Sequence, residues 1–483
     1  SGGLSMSNNA QLSAIDRITT LLDTNSFVEV GADVTSRSTD FNMTQNKIPA
    51  DGVITGYGTI DDNPVYIFSQ DASVLGGSIG EMHAKKIIRI YDLALKVGAP
   101  VIGLVDSSGM RLQEATDAMN GFGQIYMKQT LASGVIPQIT AIFGDCGGGL
   151  AIMASLSDFT FITKKNARLF VNSPNALSEN YIEKKNTSEA DFVALAGNVD
   201  YVGQDENEVL QKIRELISIL PINNEDDTYY TESKDDINRL LTNVEPILND
   251  SSNVLSYISD KNSFYELKAD YATEVVTGFI NLNGMTVGAV ANRREVLDED
   301  NSVVEKFDGS LTSDGCNKAL SFVTFCDAFN IRCLTLPNVS GFSATVEEEK
   351  TIARAVSRLT YAFANATVPK VNFIVGDAYG SAYISMNSKH IGADLVFALP
   401  NAKIGMMEAD LASQIMYEGE SEEVRKEKAN EYKQLQSSAQ SAAKRGYIDA
   451  IIEADSIRKH AIYSFEMLFT KYEYRPSKKH GSK

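Results

Sequence analysis

The sequence predicts an α/β protein made of two tandem domains of one design, and three observations predict it. The first is an internal repeat: Asp106-Ser-Ser-Gly109 falls on Asn338-Val-Ser-Gly341 at an offset of 232 residues. The same offset carries Pro137 onto Pro369, Gly144-Asp145 onto Gly376-Asp377 and Gly148 onto Gly380 without a gap, as a duplicated unit would. The second is that each copy alternates short apolar runs with helix-like stretches. The third is length, since 483 residues leave room for two or three domains with substantial cores.

Taken in order, each copy carries a first helix and then a strand, a small-residue turn and a further helix. Gly56-Tyr57 falls on Gly278-Phe279 at an offset of 222, while Lys86 falls on Lys318 at 232, so the second copy carries about ten extra residues before its first helix. That helix in the first copy is expected to open at Ser78 with Glu81 three residues on, a capping-box pattern, and to bury Ile87, Ile90, Ala94 and Val97. Val101-Ile-Gly-Leu-Val105 and Gln138-Ile-Thr-Ala-Ile-Phe143 read as buried strands. Directly after the second strand come Gly144-Asp-Cys-Gly-Gly-Gly149 and the helix-like Leu150-Ala-Ile-Met-Ala-Ser155. The second copy repeats the plan with Lys370-Val-Asn-Phe-Ile-Val375, Gly376-Asp-Ala-Tyr-Gly-Ser-Ala382 and Tyr383-Ile-Ser-Met386.

A strand that delivers a glycine turn onto a helix N-terminus can hold an oxyanion. The first four N–H groups of a helix lack intrahelical partners, and the macrodipole adds roughly half a positive charge there. Glycine lets a ligand oxygen approach that backbone closely. Removing one donor from such a site costs about 2.7–4 kcal/mol in the transition state. Either run alone reads equally well as a tight turn; two runs in one register favour the anion-holding reading.

Longer motifs carry a family resemblance. Asp51-Gly-Val-Ile-Thr-Gly-Tyr-Gly-Thr-Ile-Asp61, Phe68-Ser-Gln-Asp71 and Gly76-Gly-Ser-Ile-Gly-Glu-Met-His-Ala-Lys-Lys86 resemble the carboxyltransferase subunits of biotin-dependent acyl-CoA carboxylases and decarboxylases. So do Asp106-Ser-Ser-Gly-Met-Arg-Leu-Gln-Glu114, Ala132-Ser-Gly-Val-Ile-Pro-Gln138, Phe325-Cys-Asp-Ala-Phe-Asn-Ile331 and Ala366-Thr-Val-Pro-Lys-Val371. The terminal Arg475-Pro-Ser-Lys-Lys-His-Gly481 is similar to the tail of the propionyl-CoA carboxylase β and methylmalonyl-CoA decarboxylase α type. The resemblance runs from about residue 12 to residue 481.

The resemblance implies two crotonase-like (ClpP/crotonase) domains, each a spiral of ββα units, facing each other across a dimer. It implies one backbone hole for the acyl-CoA thioester enolate, carried over to Gly148 and Gly149, and one for the urea oxygen of biotin, carried over to Ser381 and Ala382 beside Gly380. Ser108, Gly109, Arg111 and Gly147 are then expected on the acyl-CoA side, and Gly341, Phe342 and Ile384 on the biotin side, Ile384 at a position linked to acyl-chain choice. Two motifs depart from the family. Gly380-Ser-Ala382 stands for Gly-Gly-Ala, and Asp145-Cys-Gly-Gly-Gly149 stands for Pro-Cys-Ala-Gly-Gly. Serine keeps its N–H and adds a side chain. The family's Gly-Gly-Ile-Ile-Arg-His-Gly stretch is replaced by Glu347-Glu-Glu-Lys-Thr-Ile-Ala-Arg354.

Composition excludes several classes. The hydrophobic fraction of 43% is ordinary for a globular protein, and no apolar run reaches the length of a membrane-spanning helix. The formal charge of −19 argues against a nucleic-acid surface, because phosphate binding needs clustered Lys and Arg. Lys85, Lys86, Arg89 and Arg111 are candidates for the CoA phosphates, against a plain solvated helix face for most of them. The acidic runs 223–227 and 418–423 read as exposed linker and helix surface. Ser1-Gly-Gly-Leu-Ser5 ahead of Met6 reads as an expression scar.

Cys146, Cys316, Cys326 and Cys333 form no C-x-x-C pair, so neither a zinc ribbon nor another metal site is expected. Cys146, beside the glycine turn, reads as a small packing residue. His83 and His390 read as structural hydrogen-bonding groups, which leaves the backbone donors to carry the chemistry and the biotin urea to take the α-proton. No A-M-K-M biotinylation motif and no P-loop occur. Biotin must therefore arrive on a separate carrier protein, and any ATP-using step must lie elsewhere.

The expected organisation is a first domain over residues 6–260 and a second over 261–483, with the polar segment 223–236 near the join and a charged helix over 420–440. The expected activity moves a carboxyl group between carrier biotin and the α-carbon of a short acyl-CoA, acetyl- or propionyl-CoA to malonyl- or methylmalonyl-CoA, or the reverse. Expected partners are the biotin carboxyl carrier protein, a biotin carboxylase or membrane decarboxylase subunits, and further copies of the chain in a dimer or trimer of dimers. The expected location is cytoplasmic, or peripheral to a membrane through such a complex. The competing readings are a cofactor-free crotonase-type enoyl-CoA hydratase or isomerase, for which Asp145 and Asp377 are the nearby acid/base candidates, and a non-catalytic assembly subunit.

Overall fold

The computed structural model describes residues 11–45, 48–227 and 230–481; the five residues ahead of Met6 lie outside them. The chain forms two compact units that divide between Asp227 and Tyr230. The division falls inside the polar segment 223–236 and well before residue 260. Burial explains the correction: Leu241, Val244, Val254, Leu255 and Ile258 are fully buried in the core of the second sheet.

The first unit runs β1 (Val28–Glu29), β2 (Val53–Ile60), β3 (Asn63–Gln70), β4 (Val101–Val105), β5 (Gln138–Ile142), β6 (Asp145–Gly147), β7 (Phe159–Thr163), β8 (Arg168–Phe170) and β9 (Tyr201–Gly203). Its seven-stranded sheet has the order β1-β2-β3-β4-β5-β7-β9, with β6 and β8 as a separate parallel pair. The first three strands are antiparallel and the rest parallel. Strands β4, β5 and β7 are buried along their whole length, as parallel strands covered on both faces must be.

The second unit repeats this plan. It runs β10 (Phe264–Leu267), β11 (Val275–Leu282), β12 (Met285–Asn292), a hairpin of β13 (Glu295–Leu297) and β14 (Val303–Lys306), β15 (Ser310–Leu311), β16 (Arg332–Leu336), β17 (Gly341–Phe342), β18 (Lys370–Ile374), β19 (Asp377–Tyr379), β20 (Leu395–Ala398), β21 (Lys403–Gly405) and β22 (Ala450–Ile451). Its sheet order is β10-β11-β12-β16-β18-β20-β22, position for position that of the first, and β19 and β21 form the matching parallel pair. Both opening hairpins turn on two residues of positive φ, Asp61 and Asp62 in one, Asn283 and Gly284 in the other; that left-handed pair matches the twist of the strands.

The first long helix, Glu81–Val97, is capped by Gly80 and not by Ser78. Ser78 Oγ instead accepts from Arg111 Nε at 3.2 Å, and the Glu81 N–H donates to Glu114 Oε1 at 3.0 Å. A carboxylate from another segment thus takes the capping role. Ile87, Ile90 and Ala94 are buried as the periodicity predicts, whereas Val97 is exposed, next to the left-handed Gly98 that ends the helix. The charged run forms the helix Glu422–Gln436, capped by Ser421, with Ala429 as its buried residue.

Candidate active site

Each unit presents its glycine turn in the same frame. The Ser107 N–H donates to the Asp145 carbonyl at 3.2 Å, and the Val339 N–H, 232 residues on, donates to the Asp377 carbonyl at 2.7 Å. These bonds seat the two small-residue turns beside β6 and β19. A Cβ on Gly144 would stand 2.0 Å from Asp106 Oδ1, and one on Gly376 would stand 2.5 Å from Asn338 Oδ1. Only glycine allows that approach.

From these strands the chain enters two short helices, Gly149–Ser155 and Gly380–Ile384. At seven and five residues they offer local N–H groups more than a long macrodipole. Gly148 sits at φ 59° and ψ −123°, a region reserved for glycine. Its N–H is already committed, donating to the Phe170 carbonyl at 2.9 Å. Gly148 therefore shapes the turn and is not a free donor. The groups without an intrahelical acceptor are those of Gly149 and Leu150, which fall at the 232-residue offset on Ser381 and Ala382. The open N–H groups of the first turn are thus those of Gly149 and Leu150, one residue on from the expected Gly148 and Gly149.

The other residues expected on the acyl-CoA side divide. Space is open around Gly148 and Gly109, where a Cβ would meet nothing within 4 Å. Ser108 is exposed at the turn, its N–H donating to the Gly76 carbonyl at 2.8 Å, and the Gly109 N–H donates to Ser107 Oγ at 3.1 Å. Gly147 is glycine for packing, since a Cβ there would come 2.4 Å from the Phe170 ring. Tyr126 Oη donates to the Gly149 carbonyl at 2.6 Å and braces the helix start.

Arg111 is not placed to bind substrate. Its guanidinium is fully buried, with Nη1 at 2.5 Å from Asp51 Oδ1 and 2.7 Å from Glu114 Oε2, and Nη2 donating to the Ser78 carbonyl at 2.8 Å. Desolvation raises the Asp51 pKa against the pull of Arg111. Lys86 is likewise buried, its Nζ donating to the carbonyls of Ala50 and Val53. Of the four basic candidates, Lys85 pairs with Glu81 at 2.8 Å and Arg89 is exposed. Both buried groups act inside the fold, a role that a basic residue count cannot reveal.

In the second unit a cavity of about 500 Å³ gathers Gly341, Phe342, Gly380, Ser381 and Ala382. Ile384 lies instead on a neighbouring cavity of about 350 Å³ that shares Gly380 and Ser381. Sequence reasoning missed Arg294, Tyr379, Lys403 and Glu408 on the first cavity wall. The Asp377 ↔ Lys403 register of the β19·β21 pair brings Lys403 there, and long-range pairing of this kind leaves no local signal.

Both carboxylates expected as acid/base candidates are engaged in ion pairs. Asp145 is paired with Arg168 at 2.9 Å, and Asp377 with Arg294 at 2.6 Å. His83 is buried, its Nδ1 2.9 Å from the Asp51 carbonyl and its Nε2 beside Gln70; burial, then Arg111, pushes its pKa down to about 3. His390 lies edge-on to Tyr447 with ring centres 5.1 Å apart. All four cysteines are buried and unpaired, and burial pushes the Cys146 thiol up. Among the described residues no cluster of His, Cys, Asp and Glu could hold a metal ion, and no helix is long and apolar enough to cross a membrane.

Comparison with known proteins decides the family. The sequence matches the carboxyl transferase domain over residues 7–482. The chain belongs to this family. It is 40% identical to a putative propionyl-CoA carboxylase beta chain of Bacillus subtilis, over 98% of this chain and 93% of that one. It is 36% identical to the methylmalonyl-CoA decarboxylase subunit alpha of Propionigenium modestum, with the same coverage. The crystal structure of transcarboxylase 12S, a hexamer with hydrolyzed methylmalonyl-coenzyme A bound, superposes with a TM-score of 0.92 at 35% identity, covering 98% of this chain and 93% of that one. This carboxyltransferase thus has the crotonase-like α/β fold and is an enzyme of the biotin-dependent acyl-CoA class.

Proposed function

We propose that the protein moves a carboxyl group between carboxybiotin on a separate carrier protein and the α-carbon of a short-chain acyl-CoA, with the acyl-CoA on the first unit and biotin on the second. The observation that supports it most is the pairing of two helix-terminal donor sets in one register, Gly149 with Leu150 and Ser381 with Ala382. The cavity beside the second set, about 500 Å³, lies in the range of small-molecule sites, about 300–1,000 Å³. Open backbone at Gly341 suits a flat urea ring.

In this reading the Gly149 and Leu150 N–H groups donate to the thioester oxygen as negative charge develops there. A fixed donor needs no reorganisation at that moment, and this is where its energy counts. The Ser381 and Ala382 N–H groups donate to the urea oxygen. Biotin, when bound, supplies the ring nitrogen that carries the carboxyl group and takes the α-proton. Phe342 and Gly341 line the cavity without adding charge, and Ile384 lines the adjoining cavity. The working form is a homo-oligomer, a dimer or trimer of dimers, served by a carrier and by a carboxylase or membrane decarboxylase partner.

The test is exchange of labelled carboxyl between malonyl- or methylmalonyl-CoA and free biotin, with neither ATP nor added metal. Exchange that requires biotin is expected. Hydration of an enoyl-CoA without biotin, and no exchange, would place the protein among the hydratases instead.

A further inference from the structure

The two units differ at one place that bears on the chemistry. About ten extra residues in the second unit form the β13–β14 hairpin, and Arg294 just before it and Asp308 just after it line the cavity. Arg294 Nη2 donates to Asp377 Oδ2 at 2.6 Å, Nη1 to the Asp308 carbonyl at 2.9 Å, and Nε to the Asn338 carbonyl at 3.3 Å. Asp377 stands three residues before Gly380, and Asn338 two before Ser340. One guanidinium therefore ties together the strand that enters the short helix, the turn that carries Gly341, and the loop that follows the hairpin. In the first unit the matching carboxylate, Asp145, pairs among the described residues with an exposed partner, Arg168.

We propose that Arg294 is a positioning residue for the carboxyl-donor site, clamping the cavity wall so that the Ser381 and Ala382 N–H groups keep their aim. The inference rests on the second cavity being the biotin side. The guanidinium suits this task because its planar fork holds several acceptors at once in fixed directions. Gly309, at φ 82°, is part of the device, for a Cβ there would stand 2.1 Å from Arg294 Cζ.

The experiment measures KM for free biotin and for acyl-CoA in the exchange reaction, with thermal melting as a check on folding. Losing a charge-assisted clamp in Arg294→Gln is expected to raise KM for biotin about tenfold and leave KM for acyl-CoA within about twofold. Gly309→Ala, which displaces the guanidinium without removing its charge, should show the same split, and Arg294→Lys should restore part of it. Asp377→Asn should raise KM for biotin, and Arg294→Gln should add little on top of it. Equal changes in both KM values, or none in a folded variant, overturn the assignment of Arg294 alone. Absence of biotin-dependent exchange in the unaltered protein overturns the underlying function instead.

Discussion

Lys318 Nζ donates to the carbonyl of Val275 at 2.6 Å, and Lys86 makes the same bond to Val53 in the first unit. The lysines are 232 residues apart and the carbonyls 222, so the bond spans the insertion in the second unit and is kept despite it. Each buried ammonium gathers strand-end carbonyls, those of Ala50 and Val53 or those of Tyr271, Ala272 and Val275. The two registers of the duplication meet here, as they do where β3 pairs with β4 and β12 with β16.

Burial, outweighing the attraction of Glu266, holds the Lys318 pKa down to about 8. An unfolded lysine titrates near about 10.4, so between these values the unfolded chain binds more protons and stability rises with pH. Below about pH 8 both states are protonated and the slope vanishes. Urea unfolding of Lys318→Met should lose this rise between pH 8 and 10 and be weaker at pH 7 by about 1–3 kcal/mol, through unsatisfied carbonyls. An unchanged pH slope would contradict the assignment.

Gly149→Pro removes one proposed enolate donor at the first helical position, where proline is tolerated. Gly148 at φ 59° and ψ −123° accepts a following proline because it has no Cβ. Carboxyl exchange should fall by about 10²–10³-fold. Gly149→Ala crowds Tyr126 and Phe122 in the same way but keeps the N–H, so it should lose far less. Similar losses in both variants would point to crowding and not to the donor.

Arg111→Leu should destabilise the first unit by about 3–5 kcal/mol, because it strands Asp51 and Glu114 as buried charges. A folded variant of normal stability with a raised KM for acyl-CoA would return Arg111 to the substrate side.

Ser381→Gly keeps the backbone donor and should leave exchange within about threefold, since its side chain is exposed and makes no hydrogen bond that closes the cavity. Asp145→Asn should cost equally little, its ion pair with Arg168 being half exposed. Loss of about 10²-fold on Asp145→Asn, the scale of a general acid or base, would falsify the backbone-only chemistry of the first site.

Much was legible because repetition is a local signal read twice. The 232-residue offset located both glycine turns, both strands before them and both helices after them. It could not show that Gly148 spends its N–H on Phe170, because that bond depends on the β6·β8 pairing of a segment some twenty residues later. Nor did the capping pattern at Ser78 survive, since Glu114 and Arg111, brought in from another segment, bind those groups more strongly.

By itself the sequence determined the α/β class, the duplication, the family and the segments that carry the two donor sets, because periodicity, glycine and strand–turn–helix order act over a few residues. Tertiary structure alone decided which N–H groups are open, that Arg111 and Lys86 are buried inside the fold, where the units divide, and that Arg294 meets Asp377. Each of these depends on which distant acceptor reaches a donor first, and a hydrogen bond once made to the chain is no longer available to a substrate.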